Sequence, residues 1–364
     1  MSFINRVKYI RPDEHKRFVA NRLRELKKQL QADIKDKTDR DALRLATWNV
    51  MHFSDGGGYT RTFESLAYIA EIIDHFDLVA IQEVNHKLDQ FQVLMNRHLG
   101  PDWDYILTDA SGNRERLAFV FRKAKVRFLR EAGEIVLPEG QEIVAPGEDQ
   151  QATRKIQFAR TPFAVTFQSG WFKFKLCTVH IFYGDSSDTG PEMALRRAEI
   201  EKIAQFLADI QTKEKRANGV DANMVLLGDF NIISPEHKTM QALLDAGFKV
   251  PDGMATAGTN LQGNHHYDQI VFRLAEKRVK FGSSGVFDIF KSVYRSEDAD
   301  HYFDVVKPPK MMTKSDGTAR TREQATEYFR RYYRVNQLSD HKLLWCELLT
   351  DFSDAYLADI ASGP

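Results

Sequence analysis

A series of apolar, strand-like runs in this chain end in acids, amides or histidines. Asn49 lies in ATWNV, Glu83 in VAIQEV, His180 in CTVHIF, Asp229 and Asn231 in VLLGDFNI, Asp268 in HHYDQIVF, and Asp340 with His341 in QLSDHKLLW. Carboxylate and amide oxygens suit a hard cation, and imidazoles suit proton transfer. Burying a carboxylate without a partner costs several kcal/mol, so these groups must be paired, metal-bound or gathered at an open rim. Taken singly each has a bland reading: Asn49 as a turn residue, Glu83 as a helix cap, His180 as a core histidine with a backbone partner, Asp340 as an N-cap. Capping and turns do not, however, call for two histidines and four acids on the apolar strands themselves. In VLLGDFNI, Asp229 and Asn231 are two residues apart and share one face of an extended chain.

The elements that must position these residues are legible in outline. Strands are expected at 43–50, 77–84, 117–123, 163–168, 173–182, 224–231, 267–273 and 342–350. Helical periodicity covers 63–76, 91–100 closed by Gly100, 191–213 and a stretch near 235–246. Several strand pairs lack an intervening helix, which argues for mixed rather than purely parallel sheets. Residues 137–151 and 296–324, rich in charge, Pro and Gly, read as loops. The chain divides into a charged helical extension (1–41), a main domain (42–352) and a short tail (353–364). In the extension Val19, Leu23, Leu26 and Leu30 form one apolar stripe. Packing on the main domain is the preferred reading; a dimer contact through this helix is the alternative, weakened by the small number of heptads.

Composition excludes some functions. With 51 basic and 51 acidic residues the formal net charge is zero, so no globally basic nucleic-acid surface is expected. Hydrophobic residues at 43 % supply a substantial core. Cys177 and Cys346 fit neither a zinc site nor a disulfide framework, and read as buried thiols in a reducing compartment. The charged N-terminus carries no secretory pattern and no segment suits a membrane span, so a cytoplasmic protein is expected.

TWNV, IQEV, TVH, GDFN, YDQI and SDH, in this order, resemble the motif series of the endonuclease/exonuclease/phosphatase superfamily, the DNase I-like fold. The resemblance spans roughly 43–350. It implies an α/β fold, a four-layer α/β/β/α sandwich of two mixed sheets flanked by helices, with a metal-dependent phosphoesterase site at one end. It also implies Mg²⁺ (Mn²⁺ or Ca²⁺ as alternatives) held by Glu83, Asn49 and Asp340. Asp229 would orient or deprotonate the attacking water, and Asn231 would hold a phosphate oxygen. His180 and His341 would move protons or stabilise charge, supported by Glu115 and Asp268. Arg160 matches a phosphate-contacting arginine, with a surface charge as the equal alternative. Where DNase I-like nucleases place groove-entering arginines this chain has Met51 and Asn85. Before YDQI it has NLQGNHH instead of the Trp-bearing loop of abasic-site endonucleases; His265 and His266 there read as a solvated turn. The run 318–341 sets Arg320, Arg322, Arg330, Arg331 and Arg334 among Tyr328, Phe329, Tyr332 and Tyr333, either as a substrate surface or as an amphipathic helix with its aromatics inward. The expected activity is a phosphodiesterase on nucleic acid, DNA favoured. The alternatives are a phosphatase or phosphodiesterase for a small metabolite or lipid headgroup, and a non-catalytic binding protein.

Overall fold

The computed structural model describes residues 4–34, 41–54, 60–146, 153–185, 187, 189–219, 222–251, 254 and 257–362. Its strands are β1 (Ala42–Phe53), β2 (Leu78–Asn85), β3 (Trp103–Leu107), β4 (Glu115–Arg122), β5 (Arg127–Glu134), β6 (Ile143–Pro146), β7 (Thr153–Ile156), β8 (Phe163–Ser169), β9 (Phe172–His180), β10 (Met224–Asp229), β11 (Asp268–Arg273), β12 (Lys280–Phe287) and β13 (Leu343–Leu349). One sheet has the order β12-β13-β1-β2-β4-β3 and the other β11-β10-β9-β8-β5. Both are mixed: β1 runs parallel to β2 and β10 parallel to β9, while the other pairs are antiparallel.

Alternation along the strands builds the layers. Leu43 and Leu45 of β1, Leu176 of β9, Val225 and Leu227 of β10 and Ile270 of β11 point into one apolar layer between the sheets. Ala46, Trp48 and Val50 point outward into a second cluster with helices α1 (Asp13–Asp33) and α2 (Phe63–Ile73). Met224 and Leu226 point outward into a third cluster, with Ile200, Ile203 and Leu207, Met240 and Leu243. The last five belong to the long helix Pro191–Asn218 and the short helix Lys238–Asp245. The result is a helix–sheet–sheet–helix sandwich.

The apolar stripe of α1 is spent inside the chain. Val19, Leu26 and Leu30 are fully buried, Leu23 nearly so, and α1 packs on α2. Each such side chain contributes about 1.5–3 kcal/mol to burial. That stripe is therefore not free for the dimer contact considered above. The expectation of a loop at 296–324 is also corrected. Short helical turns cover Ser296–Asp298, Ala299–His301, Tyr302–Val306 and Pro309–Met312, because Ala299, Tyr302 and Met311 anchor them in the core. Within 137–151, β6 pairs with β7, and 147–151 lie outside the described residues. β3, β5 and β12 were not expected. They are outer strands of their sheets, with β5 largely exposed and β12 exposed or part-exposed up to the buried Phe287, so they lack the apolar texture that marks an inner strand.

Candidate active site

The inner faces that form the apolar layer turn polar at one end of the sandwich. On β1 the inward series Leu43, Leu45 continues to Thr47 and Asn49; on β9 it continues to Thr178 and His180; on β10 it ends at Asp229; on β11 it begins at Asp268; on β4 it begins at Glu115. Sheet register sets His180 and Asp268 directly beside Asp229, one on each neighbouring strand. Gly228 makes the parallel neighbour possible: a Cβ there would lie 2.2 Å from the Val179 carbonyl oxygen, and its φ is +134°. Beneath the site a polar layer closes the apolar core, with Gln82 Nε2 donating to Thr178 Oγ1 (2.9 Å) and Thr47 Oγ1 to Gln82 Oε1 (3.3 Å).

Glu83 breaks the alternation. Simple parity would send it outward with Ile81, but the β2 pairings shift register here and Glu83 has φ +61°. Its carboxylate accepts from Asn49 Nδ2 (2.9 Å) and from the His52 amide (2.8 Å). Left-handed backbone at two site residues, Glu83 and Asn231 (φ +54°), is strain of the kind that functional sites hold.

Asp229 is the hub. Oδ2 accepts from Asn49 Nδ2 (2.9 Å) and lies 3.6 Å from His180 Nε2 and 3.7 Å from His341 Nε2, while Oδ1 accepts from the Asn231 amide (3.0 Å). Behind each histidine stands a carboxylate. Asp268 Oδ2 is 2.7 Å from His341 Nδ1. Glu115 Oε2 is 2.9 Å from His180 Nδ1, a close contact without ideal hydrogen-bond alignment, and accepts from Arg160 Nε (3.1 Å). Arg160 is therefore an ion-paired, largely buried group rather than a surface charge.

These contacts set the protonation states. Burial works against charge on His341, but Asp268 and Asp229 outweigh it and raise its pKa well above the ordinary value. Burial likewise opposes charge on His180; Glu115, Asp229 and Glu83 outweigh it and the pKa rises. Burial would raise Glu115, yet His180 and Arg160 hold it down to about 2. Burial would also raise Asp229, but His341 and His180 hold it below its ordinary value. Asp268 is raised, chiefly by burial.

All ten expected residues lie in or beside this polar seam, with two differences from expectation. The hub is sunk, not at an open rim: Asp229 is 1 % exposed and His180 5 %. The side-chain nitrogen of Asn231 is engaged, Nδ2 donating to the Ile181 carbonyl (2.9 Å), and its backbone carbonyl accepts from Arg196 Nη1 (3.1 Å). Asp340 is part-exposed next to His341. His265 is less remote than a solvated turn, since it stacks on Tyr267 (5.1 Å), whose ring is 5.6 Å from His341. Residues not anticipated include Ser339, whose Oγ donates to the Asn49 carbonyl (2.5 Å) and accepts from the His341 amide (2.9 Å). Gln82 and Arg196 were also missed. For Gln82 alone there was an available signal, a polar residue on the apolar run VAIQEV.

The site suits a hard cation. Asn49 Oδ1 is buried with no hydrogen-bond partner among the described residues, beside the Glu83 carboxylate. Five carboxylates (Glu83, Glu115, Asp229, Asp268, Asp340) are gathered here with Arg160 and the two histidines, and His52 Nδ1 lies 3.6 Å from Glu83 Oε2. Asp229, Asp268 and His341 also lie within 4.8 Å of one another, although an imidazole between two carboxylates accounts for that closeness without an ion.

A family model described as the Endonuclease/Exonuclease/phosphatase family matches residues 46–341. The chain belongs to the endonuclease/exonuclease/phosphatase family. This family's members are phosphoester hydrolases, generally dependent on a divalent metal. The chain's fold is similar to that of an endonuclease/exonuclease/phosphatase family protein from Bacteroides thetaiotaomicron, at 17 % identity and TM-score 0.50, covering 85 % of this chain and 96 % of that one. It is similar too to the human Nocturnin catalytic domain with bound sulfate anion, at 15 % identity and TM-score 0.51, covering 85 % and 94 %. At such identity the likeness speaks for the fold alone. No curated protein sequence matches the chain significantly. No helix among the described residues is long and apolar enough to cross a membrane.

The helical run Arg322–Gln337 leads this family member's chain into Ser339–His341. Phe329 and Tyr333 point inward. Tyr332 is exposed and packs on Tyr328 (5.4 Å between centroids), and Arg320 lies over Tyr328 (4.6 Å). These groups, with Lys314, Gln324, Glu327 and Asn336, line a groove of about 590 Å³. Arg322 is not free for substrate, since it pairs with Asp300 and Asp304.

Proposed function

We propose that the chain is a divalent-metal-dependent phosphodiesterase acting on nucleic acid, DNA favoured. The observation that carries this reading is the single Asp229 carboxylate faced by the Nε2 atoms of two histidines, each backed by its own carboxylate. Asp229, kept ionised and fixed by Asn49 and the Asn231 amide, orients the attacking water and takes its proton. His341 and His180, whose pKa values are raised by the carboxylates around them, face the same point and stabilise charge on the phosphoryl oxygens or protonate the leaving oxygen. Arg160 steadies Glu115 and remains the candidate for a phosphate contact. Glu83, Asn49 and Asp340 would hold Mg²⁺ or a similar ion, which when bound supplies charge neutralisation at the phosphate.

The Tyr328–Tyr332 pair with Arg320 and Lys314 supports a nucleic-acid substrate, because aromatic faces stack bases and cations meet phosphates. Zero net charge, with Met51 and Asn85 in place of groove arginines, favours a second reading: a small phosphorylated metabolite or lipid headgroup. The test is hydrolysis of plasmid, single-stranded DNA, RNA, a bis-aryl phosphodiester and several phosphomonoesters, with Mg²⁺ and with EDTA. Mg²⁺-dependent cleavage of a nucleic acid is expected. Cleavage of monoesters alone would establish the second reading, and cleavage of none would leave a binding protein.

A further inference from the structure

We propose that Arg61 is a positioning residue that fixes the distance between the two halves of the site, Asn49–Glu83 on one side and Ser339–His341 on the other. This rests on the reading of that site as catalytic. Arg61 is 3 % exposed. Its guanidinium donates to the carbonyls of Val50 (3.4 Å), Met51, His52 (3.0 Å) and Leu338 (3.0 Å).

Those four carbonyls lie where the sheet stops supplying partners. The β1–β13 pairing ends at Thr47 and Leu344, and the β1–β2 pairing shifts register between Asn49 and Phe53. Here the backbone curls, with His52 at φ +48°, and the curl turns the His52 amide onto Glu83 Oε2. Leu338 immediately precedes Ser339, whose hydroxyl ties the Asn49 carbonyl to the His341 amide. One planar fork of donors thus holds both chain segments that carry the site. A lysine offers a point charge with three donors on a flexible stem and cannot span the same set.

Arg61 is itself held from two sides. Gln90 accepts from its amide (3.0 Å) and donates to its carbonyl (2.7 Å). Gln337, one residue before Leu338, accepts from the Thr62 amide (2.8 Å) and donates to the Thr60 carbonyl (3.2 Å). Residues 60–62 are therefore stapled to the segment that ends in the site. Among the described residues the Arg61 guanidinium bonds to backbone carbonyls, so its effect on the acids and histidines of the site passes through backbone.

The experiment compares wild type, Arg61→Lys and Arg61→Ala as full chains. Hydrogen–deuterium exchange reads the clamp without any substrate: both variants should lose protection at 49–54 and 338–342 together, with β9–β11 unchanged. On whichever phosphoester the wild type cleaves, Arg61→Ala should lose about 100-fold in kcat, the scale of a 1 Å misplacement, with KM within threefold. Arg61→Lys should fall between, and millimolar methylguanidinium should restore part of the Arg61→Ala loss but none of the loss in Asp229→Asn. Exchange that rises in one segment only, or equally over the whole chain, overturns the proposal, as does an unchanged kcat. If the wild type cleaves no phosphoester, the catalytic reading fails by itself and the exchange pattern still decides the clamp.

Discussion

Replacing Glu115 by glutamine keeps the side chain's shape and removes the charge between His180 and Arg160. Burial pushes the Glu115 carboxyl up from 4.5, and His180 and Arg160 bring it down to about 2. At about 1.4 kcal/mol per unit, that depression corresponds to roughly 3 kcal/mol of folding stability. The folded value lies below the unfolded one, so the stabilisation is complete above about pH 4.5 and is lost as pH falls toward 2. Glu115→Gln should therefore be less stable than wild type by roughly 3 kcal/mol at pH 7. The gap should be about half as large near pH 3.3 and close near pH 2, where wild-type Glu115 itself becomes neutral. Urea unfolding of both proteins at pH 7, 5 and 3.5 reads the difference. A variant as stable as wild type at pH 7, or a deficit that does not shrink with acid, would refute the reasoning. Glutamine also removes the strongest influence opposing the burial of charged His180, so the basic limb of the kcat profile should move to lower pH.

Asp229→Asn should lower kcat about 10²- to 10⁴-fold with KM within a few-fold and the circular dichroism spectrum unchanged; near-wild-type turnover would remove Asp229 from its role. Gly228→Ala should cost about 3 kcal/mol or more, measured by thermal unfolding, because its Cβ would meet the Val179 carbonyl at 2.2 Å. Tyr332→Ala should weaken single-stranded DNA binding about fivefold or more in a titration while hydrolysis of a small diester is unchanged; equal binding would take the groove out of the substrate path.

Residue type and order carried the site a long way. Polar residues on otherwise apolar strands are costly to bury, so TWNV, IQEV, TVH, GDFN, YDQI and SDH stand out against the core and place Asn49, His180, Asp229, Asp268 and His341. Inner strands such as β9 and β10 were legible for the same reason. Outer strands β5 and β12 were not, because exposed edges need no apolar texture. Nor were the helical turns at 296–312, whose few anchors, Tyr302 and Met311, sit among charges and prolines. Arg61 and Ser339 gave no sequence signal of their own, because their work is to satisfy backbone groups brought together from distant segments.

The sequence by itself determined the alternation of faces along each regular strand, since a period of two is a local property. It determined the family through the order of those motifs. Only the tertiary structure decided that Asp229 sits under both histidines, that Arg160 is paired to Glu115, and that Glu83 turns inward against its own strand's parity. Those outcomes depend on register between strands far apart in the chain and on a left-handed residue at a register shift, and neither is written in local spacing.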